Sequence, residues 1–305
     1  MSTEKKKTSR RAFFEKLVLL GTGAAAGAAV IYSGSKYESS KDPIKKVQLL
    51  TADNKLVEVD AAAIKPFEQT VALALQSRGR TGIAGRRWAM VIDLSKCRNA
   101  RKCLEACQSA HDLKPEQYHI NVLQMKDGPN LPSYHMPKPC MHCDNPPCVS
   151  VCPVDATFKR QDGIVLIDNE RCIGCRFCIA ACPYNARIFQ WTEPKVSEAN
   201  KDKEYDVELN VPQKKGTVSK CAFSADRLRD GKLPYCVSAC PNGVYWFGDE
   251  NEDAVTNGTT KETTKLSDLL AKNAAYILMP ELGTKPRVYY LPAKNRLFPF
   301  EESKS

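Results

Sequence analysis

Eight of the fourteen cysteines in this 305-residue chain lie between residues 140 and 182, in two runs of nearly equal spacing. The first reads Cys140-x2-Cys143-x4-Cys148-x3-Cys152-Pro153, and the second Cys172-x2-Cys175-x2-Cys178-x3-Cys182-Pro183. Thiolates spaced this way suit iron. Three from one loop can hold three corners of an iron–sulfur cubane, while the fourth begins the next turn of chain and faces a neighbouring cluster. The expected ligand sets are Cys140, Cys143, Cys148 and Cys182 for one [4Fe–4S] cluster, and Cys172, Cys175, Cys178 and Cys152 for a second. The prolines after Cys152 and Cys182 fix φ and stop a regular helix there.

Competing chemistries fit less well. A disulfide framework belongs to small secreted scaffolds rather than to a chain of this length with a repeated spacing. A zinc ribbon needs two C-x2-C pairs and would leave the third and fourth cysteine of each run surplus. The second run has the spacing of a bacterial two-cluster ferredoxin, and the first differs only in a longer gap before its third cysteine.

Two further runs flank these. Cys97-x5-Cys103-x3-Cys107 aligns with the first, third and fourth ligands, with Ala100 where the second should stand. Cys221-x2-Ser224-x11-Cys236-x3-Cys240-Pro241 again lacks the second thiol, replaced by Ser224. The chain is an internal repeat of four runs, two complete and two short of one ligand.

The order of the runs, Asn145-Pro146-Pro147-Cys148, and Lys220-Cys221 with Gly231-Lys232-Leu233-Pro234, Cys236-Val237 and Cys240-Pro241 together resemble one family. It is the four-cluster ferredoxin-like electron-transfer subunit of membrane-bound molybdopterin oxidoreductases and related quinone-linked complexes, the polysulfide, nitrite and dimethyl sulfoxide reductase type. The likeness covers residues 86–250. It implies that the outer runs share a second pair of clusters, one held by Cys97, Cys103 and Cys240, the other by Cys221, Cys236 and Cys107 with Ser224 in the open slot. A cubane lacking one corner ligand tends to lose that iron, so at least one outer site is expected to hold a [3Fe–4S] cluster. Ser224 could ligate as an alkoxide, though oxygen is a harder donor than this iron prefers. Empty outer sites kept as scaffold are the alternative. The resemblance also implies partners: a quinone-reactive integral membrane subunit, and a molybdopterin catalytic subunit or a multihaem cytochrome.

The elements around the runs read as α+β, with two ferredoxin-like [4Fe–4S] modules, loop insertions, and N- and C-terminal extensions. Trp88 to Asp93 is a strand leading into the third run; Ala156 to Arg160 and Ile164 to Ile167 pair about a turn; Ala186 to Trp191 and Val244 to Phe247 are further strands. Short helices are expected after the fourth cysteines. Residues 37–85 are an entry segment, with a hairpin from Val47-Gln48-Leu49-Leu50 and Leu56-Val57-Glu58-Val59, a helix over 61–75, and a break at 78–82. The insertions 108–139 and 192–219 are expected to be surface loops contacting partners. Residues 251–265 read as polar and flexible, followed by a helix from Leu266 to Ala275 and a strand at Val288 to Leu291 in a C-terminal extension over 251–305. Of the four histidines, only His142 is expected near a cluster. Trp88, Trp191 and Trp246 are expected in the core, and Lys220 and Arg176 beside ligands, either tuning potential or solvated.

Residues 1–36 read as a leader. Ser9-Arg10-Arg11-Ala12-Phe13 resembles a twin-arginine export signal, and the apolar stretch Leu17 to Tyr32 is Gly/Ala-rich and shorter than the ~20 residues of a membrane span. That route carries folded, cofactor-loaded proteins, so cysteines can reach an oxidising compartment without forming disulfides. The expected location is the periplasmic side of the cytoplasmic membrane, held there through partners or an uncleaved leader. Seven Lys or Arg against Glu4 and Glu15 in the leader supply about half of the formal charge of +10. The remainder is mildly basic without an aromatic-studded basic face, which excludes nucleic-acid binding. No phosphate loop, nucleophile elbow or protease helix is present. The expected role is electron transfer without a catalytic site; the alternatives are intrinsic reductase or hydrogenase-type activity, or a mainly structural role in which clusters brace the fold.

Overall fold

The computed structural model describes residues 46–50, 56–60 and 78–293. The leader, the helix expected over 61–75 and the tail from residue 294 onward lie outside the described residues. The chain divides into two compact units, Met1–Glu68 and Gln69–Ser305. In the first, β1 (Lys46–Leu50) and β2 (Leu56–Asp60) form the expected antiparallel hairpin, Lys46 opposite Asp60 and Leu50 opposite Leu56.

The second unit is built on β3 (Trp88–Asp93), whose residues Ala89, Met90, Val91 and Ile92 are fully buried. A strand covered on both faces reads as a continuous apolar run, not as an alternation. Met90 and Ile92 enter a large core with Phe158, Phe223, Tyr245, Phe247 and Tyr290, whereas Ala89 and Val91 enter a smaller one with Trp246, Val255, Leu266 and Leu291.

In chain order the remaining elements are α1 (Lys102–Ala110), β4 (Asn121–Met125), β5 (Tyr134–Lys138), α2 (Pro147–Ser150), β6 (Thr157–Lys159), β7 (Val165–Ile167), α3 (Phe177–Ala180), β8 (Arg187–Phe189) and β9 (Val218–Lys220). They continue with α4 (Ala225–Arg229), α5 (Tyr235–Ala239), β10 (Tyr245–Asp249), β11 (Ala254–Asn257), β12 (Thr263–Lys265), α6 (Leu266–Lys272) and β13 (Val288–Leu291). The main sheet has the order β12-β11-β10-β3-β13, with β13 parallel to β3 and the other pairs antiparallel. Three two-stranded sheets, β4–β5, β6–β7 and β8–β9, lie outside it. Among the described residues no helix is long and apolar enough to cross a membrane.

Several expectations need correction. Residues 251–265 supply β11 and β12 of the main sheet; Asn257 is fully buried and closes their turn, its amide donating to Gly243 O at 3.0 Å and its oxygen accepting from Thr259 N at 2.9 Å. Asn257 thus bonds backbone rather than water, while most other polar side chains of the stretch are exposed. Residues 78–81 are helical rather than a break, and the helix ends at Gly82, φ +83°. The insertions are not merely surface loops: His111, Leu113, His119, Ile120 and Met136 in one, and Val207, Val211 and Gln213 in the other, are buried. Trp191 is 66 % exposed, not core. The short helices carry the third cysteines, Cys148, Cys178 and Cys236, instead of following the fourth. Proline explains this, since it pushes the residue before it out of the helical region. Cys152, Cys182 and Cys240 each precede a proline, whereas Cys107 precedes Gln108 and sits inside the nine-residue α1.

A buried ionic cluster ties the entry of this unit to the β6–β7 turn. Asp162, fully buried, accepts from Ile83 N at 3.0 Å and Arg160 Nε at 3.1 Å; Arg160 also reaches Glu208 at 2.5 Å with its side chain wholly enclosed. Removing one partner of such a pair leaves an uncompensated internal charge. Asp162→Ala is therefore expected to lower stability by roughly 3 kcal/mol or more in equilibrium denaturation; a loss under about 1 kcal/mol would show the cluster to be decorative.

Candidate metal centres

Each cysteine run wraps through a left-handed residue two positions after its first cysteine: His142 (φ +42°), Gly174 (φ +72°), Asn99 (φ +57°) and Phe223 (φ +53°). Three of these are not glycine, and such backbone costs on the order of 1–3 kcal/mol unless its surroundings enforce it. The turn aims successive amides inward: the N–H of Asn99 lies toward the Cys97 sulfur, and that of Phe223 toward the Cys221 sulfur. Concave backbone of this kind binds anions. Both incomplete runs keep the turn despite the missing second thiol. At Gly174 a side chain is also sterically barred, because a Cβ would stand 2.1 Å from Gly216 O.

The expected ligands converge. Cys140, Cys143, Cys148 and Cys182 line one cavity, together with Tyr184 and Arg187. Cys152, Cys172, Cys175 and Cys178 line a second. Cys97, Cys103 and Cys240 line a third, with Ala100 and Tyr245. Cys221 is close enough to raise the pKa of both Cys107 and Cys236, Cys107 raises that of Cys236, and α1 packs on α5, which carries Cys236. Neighbouring sets also meet: Cys103 with Cys107 and Cys236, Cys221 with Cys140, and Cys148 with Cys178. The four sets thus stand in sequence from Cys97 at one end to Cys175 at the other. All fourteen cysteines are free thiols.

Burial pushes the thiols up, Cys143 to about 12 and Cys221 to about 11, with Cys97, Cys103, Cys148 and Cys178 also raised, chiefly by desolvation. These thiolates need a cation to exist at neutral pH, as metal ligands do. Protein donors lie ready. Thr157 N–H donates to Cys152 Sγ at 3.4 Å. Thr284 donates toward Cys143, while its Oγ1 is 2.5 Å from Tyr184 Oη.

The Arg187 guanidinium, 4 % exposed, faces Cys148, Cys178 and Cys140, and its Nη2 has no protein acceptor. A buried cation with one nitrogen unpartnered amid thiols, another held by Thr157 Oγ1 at 3.2 Å, fits an anionic iron–sulfur group. Lys220 is buried too, donating to the carbonyls of Val165 and, at 2.6 Å, Cys221. Arg176 instead lies over the rings of Phe189 and Trp191. His142 is fully buried and stacks on Phe223 at 3.7 Å, which brings together the equivalent residues of two runs. Its Nδ1 accepts from Val165 N at 3.1 Å and burial drives its pKa well down, so a neutral Nε2–H is left without a protein acceptor.

Sequence reasoning missed Arg187, Tyr245 and Thr284, which nothing in their local sequence marks. It also left His111 and His119 out, yet both are buried beside Cys107. The signal existed: Cys107-x3-His111 is one helical turn, and no proline intervenes.

Residues 132–205 match a 4Fe-4S dicluster domain. With its mixed α/β body and convergent thiols, the chain is a ferredoxin-like iron–sulfur protein. It is 36 % identical over 306 residues to a selenate reductase subunit of Mesobacillus selenatarsenatis, covering 95 % of this chain and 99 % of that one. It is 37 % identical over 219 residues to a putative dimethyl sulfoxide reductase iron-sulfur subunit of Halobacterium salinarum, covering 67 % and 78 %. It is likewise 37 % identical over 236 residues to the menaquinone reductase iron-sulfur cluster-binding subunit of Nitratidesulfovibrio vulgaris, covering 67 % and 88 %. The chain belongs to this family, the iron–sulfur electron-transfer subunits of respiratory reductase complexes, and is not their catalytic component.

Arg187 offers a direct test of the electrostatics. A unit charge about 8 Å away at an effective dielectric near 20 is worth about 2 kcal/mol, or roughly 90 mV for one electron. Arg187→Met removes a cation that favours the reduced state, so the potential of the clusters it faces should fall by about that amount in an EPR-monitored redox titration. An unchanged potential would place Arg187 outside their field.

Proposed function

We propose that this chain passes single electrons along four iron–sulfur groups in an exported, membrane-associated complex. Its partners are a quinone-reactive integral membrane subunit on one side and a molybdopterin catalytic or multihaem cytochrome subunit on the other. The observation that carries this reading is the unbroken succession of thiol sets, each in electrostatic contact with the next. Bound iron–sulfur clusters supply one-electron chemistry over a range of roughly −700 to +450 mV. The protein's part is to fix the spacing and set the potentials.

Two ferredoxin-like modules share the work. Cys140, Cys143, Cys148 and Cys182 hold one [4Fe–4S] cluster, and Cys172, Cys175, Cys178 and Cys152 hold the other. Cys97, Cys103 and Cys240 hold a [3Fe–4S] cluster, because the residues lining that cavity include no further thiol or imidazole. Tyr245, buried with its hydroxyl toward Cys103, is also close to Cys236. Export by the twin-arginine route delivers the folded, loaded protein to the periplasmic side. The name of the Nitratidesulfovibrio relative, a menaquinone reductase subunit, supports the quinone-linked partner.

One end of the succession is dressed for docking. Val151, Ile173 and Phe177, each adjacent to a ligand of the Cys152/Cys172/Cys175/Cys178 set, are 37 %, 64 % and 60 % exposed, and Trp191 is 66 % exposed. Exposed apolar side chains gathered beside a redox centre mark a protein contact.

Two measurements test the reading. Iron analysis of the anaerobically purified chain should exceed the content of two cubanes, about eight irons, and the oxidised protein should give a [3Fe–4S] EPR signal; eight irons with a silent spectrum would remove the outer clusters. Phe177→Asp should leave the isolated chain folded but weaken its co-purification with partner subunits at least tenfold, by about 1.4 kcal/mol. Full assembly with the aspartate in place would move the docking face elsewhere.

A further inference from the structure

The two incomplete sites differ in what surrounds the missing corner. Beside Cys107, the ligand atoms of Cys107, His111 and His119 lie within 4.8 Å of one another, all three residues buried. The two rings meet edge to face at 4.9 Å, and His111 also edges onto Tyr235 at 6.1 Å. Tyr235 precedes Cys236, and its backbone N–H donates to Ser224 Oγ at 3.1 Å. The histidine pair therefore borders the Cys107 side of this site next to Tyr235, and the serine in the open slot already serves as a backbone acceptor.

His119 has the anatomy of a ligand. It is 3 % exposed; its Nε2 is 2.8 Å from the buried Ser219 hydroxyl, and its Nδ1 has no protein partner. Buried nitrogens are almost always satisfied, and a metal-bound imidazole characteristically has its other nitrogen held by a protein group. His111 is committed on one side, its Nδ1–H donating to Leu209 O at 2.7 Å, and its ring braces that of His119.

We propose that His119, through Nδ1, is the fourth ligand of the iron–sulfur group at Cys107, Cys221 and Cys236, making this site a mixed thiolate–imidazole [4Fe–4S] centre. Its outer neighbour keeps three thiolates alone. The inference rests on the reading that this outer set holds an iron–sulfur group. Imidazole is a neutral donor where the fourth thiolate would be anionic, so the centre carries one negative charge fewer than its all-cysteine neighbours.

The test is pulsed EPR on the reduced full-length protein carrying 15N-histidine, compared with unlabelled protein. A strong nitrogen coupling that changes with the label is expected in the wild type and in His111→Phe, and should vanish in His119→Ala. In that variant the centre should also lose about one iron per chain and give a second [3Fe–4S] signal when oxidised. His119→Cys restores a fourth donor, so it should keep all the iron and lose only the nitrogen coupling; signals from the two complete sites report folding throughout. A third cubane without histidine coupling, or a coupling that disappears with His111 instead, would overturn the assignment while leaving the outer cluster intact. Iron for only two clusters, or a single zinc ion bound at Cys107, would instead defeat the underlying reading and the assignment with it.

Discussion

Fourteen thiols gathered inside one small body form the constraint on which the rest of this structure depends. Each must be ionised to bind iron, and burial opposes ionisation, as the raised pKa values of eight of them record. The protein answers with polar groups that need no counter-ion in water. Backbone amides are turned inward by four left-handed residues, and two cations, Arg187 and Lys220, are buried among the sulfurs. Internal cations are costly by themselves. Beside anionic clusters they are compensated, so the cost falls on the apoprotein and makes loading part of folding.

That economy explains why the four runs share a backbone turn although they do not share a ligand set. Phe223 and His142 adopt positive φ at bulky residues, a conformation that sterics disfavour. Their rings stack on each other between the two runs, and Phe223 packs in turn on Phe247 of the central sheet. The strained turn is thus held from outside by the core. The two runs without a second cysteine lack a donor but keep the turn that shapes the site.

Much of this was legible in the cysteine spacing, and the reason is physical. A run of three close ligands plus one distant one has few ways to satisfy iron, so the convergence of Cys182 with Cys140, and of Cys240 with Cys97, followed from spacing and resemblance. Strands β3, β7, β10 and β13 announced themselves through β-branched and apolar residues. What escaped was of two kinds. The polar stretch 254–265 forms sheet about a buried Asn257 that bonds the backbone of its turn, which composition cannot distinguish from solvation. Residues acting across the chain, Arg187 on the Cys148 set and Thr284 on Cys143, carry no local mark because their partners lie dozens of residues away.

The asymmetry between the two outer sites traces to one position. Proline follows the fourth cysteine in three runs and turns the chain away from the metal side at once. Gln108 replaces it after Cys107, so α1 continues to Ala110 and its cap, His111, falls one turn beyond the thiol. The chain then returns through the insertion to place His119 against it, anchored by Ser219 on the neighbouring run. Where the other three runs have proline, Gln108 lets the helix continue, and the corner is instead walled by two imidazoles. The site that lost a thiol at Ser224 is the same site that this longer helix enriches, whereas the site that lost its thiol at Ala100 has no such wall. Two sites equally short of a thiol thus stand in unequal surroundings, and with the proposed ligation the difference in charge between the two centres would give adjacent steps of an electron path different potentials.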